Sequence, residues 1–389
     1  MKKNNILVLD IGTTGIKGLV FGKDLELISR SYFPLKKVSR RGFVEQNPQE
    51  LVQVSERALR GAIKKSGVPP TSFRGMGITN QRETTILWDK KTGKPVYPAI
   101  VWEDTRTAEE CKKMSKQHRI FVRNTTGLAL DPYFSASKVK WILENVPQAK
   151  KISAQKNLLF GTVDTWILWN LLEKHPHVTD YTNASRTLLF NIRNLKWDKK
   201  LLSIFGVPQD IVPRAQPSVS NFGKLDKKII GVSLPVVAVC GDQQASLFAA
   251  GLSPGTTKVT YGTGGFVSQI LGRKFALHDG FFTTLAPYLK SPIYALEAKV
   301  NDCGARVTAV LKNPLALKKA IETIIKEISR YLKKLPRKPK AIIIDGGVTK
   351  YEDMITMHEQ LTGIPSKKQK IYDGTALGTA MLVKTFFRT

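Results

Sequence analysis

Two glycine–threonine turns, about 250 residues apart, are the feature that most constrains this sequence. The first, Asp10-Ile11-Gly12-Thr13-Thr14-Gly15, lies between the apolar runs 6–9 and 19–21, and the second, Tyr261-Gly262-Thr263-Gly264-Gly265, lies between runs 258–260 and 266–270. Glycine lets backbone N–H groups approach a phosphate, and threonine hydroxyls add further donors. Because such a turn occurs in each half, the sequence predicts a two-lobed protein that closes on a nucleotide.

Length and composition indicate a globular chain of two or three domains. The 389 residues are 42% hydrophobic and 24% charged, which is ordinary for a globular protein. The apolar run behind Met1 stops at Asp10, too early for a signal peptide, and no run approaches the length of a membrane span. We therefore expect a cytoplasmic protein. Cys111, Cys240 and Cys303 are odd in number and widely spaced, which argues against a disulfide framework or a zinc site.

The net charge of +30 is the one unusual feature of the composition. Such an excess is found in proteins that bind nucleic acid or anionic surfaces. Here the lysines are spread along the chain, with one dense basic patch at 333–340 and no interleaved aromatic residues. The pattern favours a solvated basic surface that attracts anionic substrates, and a nucleic-acid partner is supported by the net charge alone.

The predicted elements repeat at the scale of a domain. In the first part we predict strands at 6–9, 16–21, 25–32, 75–79, 84–88 and 234–239, and helices at 105–119, 135–145, 163–172 and 245–250. A further helix begins at Pro48, with Asn47 as its N-cap and an apolar stripe behind it. The second part is predicted to have strands at 256–261, 266–270, 283–287, 293–297 and 340–345, and helices at 303–312, 315–335, 353–362 and 375–387. Gly251–Gly255 is the best candidate boundary, so the domains are predicted as 1–250 and 251–389.

The first turn carries groups that suit phosphoryl transfer. Asp10 ends a strand beside it and is placed to hold Mg²⁺ through water, although an aspartate there also suits an Asx turn. Thr13 and Thr14 would donate to phosphate, or belong to a plain hairpin, and Lys17 would add positive charge. Thr263 is expected to donate from the other lobe.

A carboxylate and a polar segment are candidates for the acceptor side. Asp242 follows a buried strand near the lobe boundary and could be the general base for a substrate hydroxyl. Its alternative role is an N-cap for the helix that follows. Arg82 and Glu83 could donate to and accept from adjacent hydroxyls of a polyol, or form a surface ion pair. Trp102 and Phe266 could pack on its carbon face, although each alone also suits a core position.

Longer motifs extend beyond these single residues. They are Gly77-Ile-Thr-Asn-Gln-Arg-Glu-Thr-Thr85, Ala99-Ile-Val-Trp102, Asp131-Pro-Tyr-Phe-Ser135, Leu159-Phe-Gly-Thr-Val-Asp-Thr-Trp166, Val178-Thr-Asp-Tyr-Thr-Asn-Ala-Ser-Arg186, Gly241-Asp-Gln-Gln-Ala245 and Thr260-Tyr-Gly-Thr-Gly264. Through these motifs the chain resembles the FGGY family of carbohydrate kinases, and within it the members that phosphorylate glycerol. The similarity is nearly continuous to about Gly304 and patchy afterwards.

The resemblance implies an α/β, actin-like or hexokinase-type fold of two ribonuclease-H-like lobes, the second one reduced. It implies ATP-dependent phosphorylation of glycerol to sn-glycerol 3-phosphate, with Mg²⁺ as cofactor, and it leaves homo-oligomerisation open. By position, the polyol site would be Arg82, Glu83, Trp102, Tyr133, Asp242, Gln243 and Phe266, with Asp242 as general base. ATP and phosphate contacts would be Thr13, Thr14, Gly15, Lys17, Thr263, Gly304 and Gly347, and Asp10 would hold the metal.

The departures from the family pattern fall on the nucleotide side. Lys17 stands where the family usually has arginine, and lysine lacks the bidentate fork. The second lobe lacks about 100 residues of the usual length, Tyr351 and Thr308 replace an expected asparagine and glutamine, and the 223–234 segment has no match to the loop that binds fructose bisphosphate in some members. We expect glycerol binding to be kept, and either the affinity for ATP to be lowered or the specificity for adenine to be relaxed. A glycerol-binding pseudokinase and a kinase for another small polyol remain the alternatives.

Overall fold

The structure is a computed structural model that describes residues 3–262, 264–287, 289, 291–300, 302–369 and 373–388. The strands up to residue 241 are β1 (Asn5–Ile11), β2 (Gly15–Phe21), β3 (Leu27–Pro34), β4 (Val38–Arg40), β5 (Phe43–Gln46), β6 (Phe73–Asn80), β7 (Ile86–Asp89), β8 (Ala99–Ile100), β9 (Leu158–Gly161), β10 (Val178–Asp180), β11 (Phe190–Asn191), β12 (Lys196–Trp197), β13 (Arg214–Gln216), β14 (Val219–Leu225) and β15 (Leu234–Gly241). Those that follow are β16 (Thr257–Tyr261), β17 (Gly265–Gly272), β18 (Phe282–Leu285), β19 (Tyr294–Val300), β20 (Ile342–Asp345) and β21 (Ser366–Lys368).

The helices surround these strands. They are α1 (Pro48–Ser66), α2 (Ala108–Thr126), α3 (Ser135–Asn145), α4 (Pro147–Ala154), α5 (Val163–Leu171), α6 (Tyr181–Ala184), α7 (Lys199–Ile204), α8 (Lys227–Ile230), α9 (Asp242–Ala250), α10 (Cys303–Thr308), α11 (Pro314–Lys334), α12 (Met354–Thr362) and α13 (Gly374–Phe386). Within the described residues, none of them is both long and apolar enough to cross a membrane.

The described part of the chain contains two six-stranded sheets with the same five-strand core. In the first sheet the order β3-β2-β1-β6-β15 joins three antiparallel strands to two parallel ones, and in the second sheet β19-β17-β16-β20-β21 does the same. The sixth strand differs, because β14 extends the β15 edge whereas β18 extends the β19 edge. We call the parts built on these sheets the first and second lobes. The predicted domain-scale repeat is thus present in the strand order, and both turns are hairpins between the first two strands of their sheets.

Helix α1 forms where the sequence predicted it, because its signals are local. The Asn47 side chain accepts from the backbone N–H of Gln49 at 2.9 Å, Pro48 is the first residue, and Gly67 ends the helix at φ +66°. Its buried face packs on the first sheet in one continuous core that also holds α5. At the crossing, a side chain on Gly18 would lie 2.2 Å from the Ala58 carbonyl oxygen, so only glycine fits there.

The opposite face of the first sheet is covered by α9 and α13. A Cβ on Gly378 of α13 would lie 1.8 Å from the carbonyl oxygen of Ala245 in α9, so the two helices touch backbone to backbone. Although α13 follows the second lobe in the chain, its Ala376, Ala380 and Val383 belong to the core that contains strands β1 and β2. The predicted division at residue 250 stays a prediction, and α13 packs on the first lobe.

Some predicted elements differ from the observed ones. Helix α2 spans 108–126 rather than 105–119 and ends at Gly127 with φ +75°, because its buried face is sparse and gives a weak stripe. The strand expected over 84–88 begins at Ile86, since Thr85 forms an isolated bridge to Ile100. The strand expected over 25–32 is displaced to 27–34, because Gly22–Glu26 form the turn. Helix α10 ends at Thr308 rather than at 312.

Candidate active site between the lobes

A cavity of about 210 Å³ lies between the two hairpins, at the ends of the central strands. Most of the predicted site residues line it together: Asp10, Thr13, Thr14, Lys17, Arg82, Glu83, Trp102, Tyr133, Asp242, Gln243 and Phe266. The cavity also takes in Gly12, Thr260, Gly262, Gly264 and Thr375. Both lobes therefore contribute to one small polar site.

Three of the predicted site residues that the structure describes are not in this wall. Gly15 begins β2, where the Tyr32 ring covers it: a Cβ on Gly15 would lie 2.4 Å from that ring. Gly304 is in α10 and Gly347 begins a 3₁₀ turn at 347–350, and neither lines the cavity. Thr263 lies outside the described residues. The nucleotide roles expected of these positions stay predictions.

The first hairpin presents an ion pair to the cavity. Asp10 and Lys17 are cross-strand partners in β1 and β2, and Lys17 Nζ lies 3.0 Å from Asp10 Oδ2 and 3.0 Å from Asp373 Oδ1. Asp373, just before α13, also pairs with Arg30 at 3.1 Å. The carboxylate of Asp10, with that of Asp373, raises the pKa of Lys17 above its ordinary value although burial opposes the shift. Lys17 is therefore a fixed cation at the mouth of the first hairpin.

The turn of the first hairpin is held by hydrogen bonds from two side chains outside it. Gln46 Nε2 donates to the Thr13 carbonyl oxygen at 2.8 Å, and Trp102 Nε1 donates to the Thr13 hydroxyl at 2.9 Å. A hydroxyl that accepts from an indole still has its own proton to donate. Thr13 is thus oriented as a donor toward the cavity, and Trp102 contributes to the hairpin as well as to the cavity wall.

A buried cluster of two arginines and two glutamates supports the acceptor side. Arg82 donates to Glu297 in a bidentate contact, at 2.7 Å from Nη1 and 3.1 Å from Nη2. Arg186 donates to Glu83 Oε1 at 2.6 Å and to Glu297 Oε1 at 2.8 Å. The four side chains are 2% exposed or less. Glu83 has φ +63°, a backbone conformation that costs energy outside glycine and that clusters at functional sites.

Asp242 is the first residue of α9, directly after β15. Its Oδ1 accepts from the Gln243 N–H at 2.7 Å and lies 3.4 Å from Arg82 Nε, while the N-cap position belongs to Gly241. Burial raises the pKa of Asp242 to about 7; Arg82 opposes the shift and Glu83 adds to it. A carboxylate with a pKa near neutrality, facing a cavity, has the properties of a general base.

The second hairpin is supported by a buried ion pair. Lys258 Nζ lies 2.6 Å from Asp345 Oδ1, and the Ser246 hydroxyl donates to Asp345 Oδ2 at 2.6 Å. Lys258 also donates to Thr260, which lines the cavity. The pair ties β16, the strand of the hairpin, to β20 and to α9.

Three residues in the site were missed by sequence reasoning: Arg186, Glu297 and Lys299. Lys299 Nζ lies 4.6 Å from the ring centroid of Trp102 and 4.4 Å from that of Tyr133. A signal for Glu297 was available, because it is a carboxylate within the apolar run Tyr294–Ala298, and buried charges are rare unless they are paired. Glu297 and Lys299 contact residues of the other lobe, and Arg186 pairs with Glu83, 103 residues before it, so spacing along the chain gave no indication of these contacts.

A metal would have to share its coordination with a substrate. Within the described residues, no three or more His, Cys, Asp or Glu side chains are grouped to hold an ion. Mg²⁺ commonly takes one or two carboxylates and fills its octahedron with water and substrate phosphates. The single carboxylate of Asp10, facing the cavity beside the hairpin, fits that mode of binding.

Comparison with known proteins identifies the family of the chain. Residues 5–249 match the model of the N-terminal domain of the FGGY family of carbohydrate kinases. The chain is 43% identical over 321 residues to a glycerol kinase of Aquifex aeolicus and 42% identical over 323 residues to glycerol kinase 2 of Thermotoga maritima, in each case covering 82% of this chain and 65% of the relative. The chain therefore spans less than two thirds of the length of these curated relatives.

Solved structures of related kinases resemble this chain in fold over nearly its whole length. The structure of Plasmodium falciparum glycerol kinase with ADP superposes with a TM-score of 0.91 at 26% identity, covering 100% of this chain and 90% of that one. A gluconate kinase from Lactobacillus acidophilus has a TM-score of 0.85 at 17% identity, which speaks for the fold alone. The fold is the two-lobed, actin-like arrangement of ribonuclease-H-like cores, and the chain belongs to the FGGY family of carbohydrate kinases.

Proposed function

We propose that the protein transfers the γ-phosphoryl group of ATP to glycerol, giving sn-glycerol 3-phosphate and ADP. The observation that carries the proposal is the convergence of Arg82, Glu83 and Asp242 in one small cavity that both hairpins face. The two glycerol kinase relatives and the Plasmodium glycerol kinase structure support the same substrate pair.

The lining of the cavity suits glycerol as the acceptor. The three hydroxyls of glycerol need both donors and acceptors. Arg82 supplies donors, and the carboxylates of Glu83 and Asp242 supply acceptors. The rings of Trp102, Tyr133 and Phe266 offer apolar surface to the carbon chain.

In this mechanism Asp242 accepts the proton of a primary hydroxyl of glycerol, while the oxygen of that hydroxyl bonds to the γ-phosphorus. The bond between that phosphorus and the β,γ-bridging oxygen breaks, and ADP leaves with the electron pair. Phosphoryl transfer needs positioning and charge stabilisation more than covalent catalysis. Lys17 and the donors of the first hairpin stabilise negative charge on the transferred group, and Arg82 orients the acceptor.

Mg²⁺ belongs to the proposal as the partner of ATP. Bound at Asp10 with water and phosphate oxygens, it would neutralise phosphate charge. The second hairpin, including the predicted donor Thr263, would hold the nucleotide from the other lobe.

The test is a coupled assay of ADP release with glycerol and Mg-ATP. We expect turnover with glycerol, and a loss of about 10²- to 10⁴-fold in kcat for Asp242→Asn, because the amide keeps the shape but cannot take the proton. Asp24→Asn, at an exposed position, is the matched control. Full activity of Asp242→Asn would remove Asp242 as the base.

Binding measurements separate the proposal from its alternative. A glycerol-binding protein without phosphotransfer would bind glycerol in a calorimeter and release no ADP. Turnover with another small polyol but not with glycerol would also contradict the proposal.

A further inference from the structure

Strand β19 of the second lobe turns one face toward the acceptor site of the first lobe. Glu297 and Lys299 are two residues apart, so their side chains point to the same side of the sheet. Phe266, on the neighbouring strand β17, is the register partner of Lys299, and directly opposite residues also share a face. The three side chains form one row that meets Arg82, Trp102 and Tyr133.

Glu297 fixes this row in place. It accepts from Arg82 at 2.7 Å and from Arg186 at 2.8 Å, and it is 2% exposed. Burial alone would raise the pKa of Glu297, but Arg186 and Arg82 outweigh it and hold the pKa below its ordinary value. The carboxylate therefore stays charged, and the charged contact holds β19 against the first lobe.

Lys299 lies against two rings of the cavity wall. The rings of Trp102 and Tyr133 meet edge to face, with centroids 5.7 Å apart and an interplanar angle of 88°. The Lys299 ammonium is within 4.6 Å of both centroids, inside the range of a cation–π contact. Its four-carbon stem also covers apolar surface. Lys299 of the second lobe thus contacts the part of the cavity wall that Trp102 and Tyr133 of the first lobe form.

We propose that Lys299 is a specificity-determining residue, which holds the Trp102–Tyr133 wall in place and thereby restricts the acceptor to a three-carbon polyol. The proposal rests on the proposed function, because it concerns the acceptor pocket of that reaction. It is a positioning role: Lys299 does not line the cavity, and it acts through the two rings that do.

The physical consequence concerns the contact between Lys299 and the two rings. Without the lysine, the rings lose this contact from the second lobe and are freer to move. One added carbon changes selectivity in a well-packed pocket by about 10- to 200-fold, so a loosened wall should lose part of that discrimination. The acceptor that gains most should be a four-carbon polyol such as erythritol.

The experiment compares erythritol with glycerol in Lys299→Ala, Lys299→Arg and the unaltered protein. We expect the ratio of kcat/KM for erythritol to that for glycerol to rise about tenfold in Lys299→Ala, and to return toward the original value in Lys299→Arg, which keeps both a cation and a long stem. Lys150→Ala, an exposed lysine on α4, is the matched control. General destabilisation would lower both rates and would not favour the longer acceptor.

Calorimetry without nucleotide gives the Kd of each variant for erythritol and for glycerol. The ratio of these two Kd values tests the same selectivity and does not depend on phosphotransfer. Absence of ADP release in the unaltered protein would contradict the proposed function, while a changed Kd ratio would still support the role of Lys299. An unchanged ratio in Lys299→Ala, or a Lys299→Arg variant as permissive as the alanine variant, would overturn that role.

Discussion

The two lobes share a strand order but use their lysine–aspartate pairs differently. In the first lobe, Lys17 joins Asp10 across the hairpin with 25% of the lysine side chain exposed at the cavity. In the second lobe, Lys258 and Asp345 are 2% and 7% exposed and are further held by Ser246. One duplicated framework therefore carries an ion pair that a phosphate can reach, and another that ties strands together. The comparison predicts that equivalent changes will affect activity in one lobe and stability in the other.

The largest effect is expected from breaking the buried pair of the second lobe. Lys258→Met would leave the Asp345 charge buried without its partner, which costs about 3–5 kcal/mol of the free energy of unfolding. Chemical denaturation measures this loss, and the double variant Lys258→Met/Asp345→Asn should recover much of it. A loss below about 1 kcal/mol in the single variant would mean that the pair does not hold the second lobe together.

The next effect concerns the contact between the lobes. Glu297→Gln keeps the shape but removes the charge that Arg82 and Arg186 share, at an expected cost of about 3 kcal/mol in stability. KM for glycerol should rise more than kcat falls, because Arg82 loses its orientation while Asp242 is untouched. Glu327→Gln is the matched control, since Glu327 pairs with Arg306 at 2.7 Å with about a third of each side chain exposed. An equal effect of both substitutions would contradict the special role of the inter-lobe contact.

The pH dependence tests the first-lobe base. Burial raises the pKa of Asp242 to about 7, and only the deprotonated carboxylate can accept a proton. Below pH 7, kcat/KM for glycerol should therefore fall about tenfold per pH unit, and above it the rate should level off. The residual rate of Asp242→Asn should not show this fall below pH 7. A flat pH profile of the unaltered enzyme from pH 5.5 to 8 would contradict the role of Asp242 as the base.

The smallest effect is expected at the first hairpin. Because a quarter of the Lys17 side chain is exposed but Asp10 and Asp373 are buried, Lys17→Met should lower the free energy of unfolding by less than Lys258→Met. KM for Mg-ATP should nevertheless rise about tenfold, since one cation beside the phosphates is lost. Lys23→Met, in the exposed turn between β2 and β3, serves as the control. A large stability loss with unchanged ATP kinetics would reverse the contrast between the two lobes.

Sequence reasoning succeeded where the signals are local. The cap and stripe of α1 predicted that helix, and continuous apolar runs predicted the hairpin strands that position both turns. Contiguous motifs also brought Arg82, Glu83 and Asp242 forward as candidates, and they line one cavity in the structure. Their catalytic roles remain predictions.

What could not be predicted depends on contacts between distant segments. Glu297 and Lys299 act on the first lobe from a strand more than 150 residues after Trp102 and Tyr133, and no spacing rule relates them. The ends of the long α2 were misplaced because only four buried positions in 19 residues give little periodicity. Asp373 and Thr375 reach the site only because α13 returns to the first sheet.

That return has a consequence for biosynthesis. On the ribosome, β1, β2 and β6 emerge hundreds of residues before α13, so the sheet face formed by Ile6, Val8 and Leu19 lacks part of its cover until 374–386 leave the exit tunnel. The second sheet can pair its own strands before that moment, because all of them precede α13. The lobe that is synthesised first is thus the last to be completed, and its apolar face is the surface that a nascent-chain chaperone would have to protect.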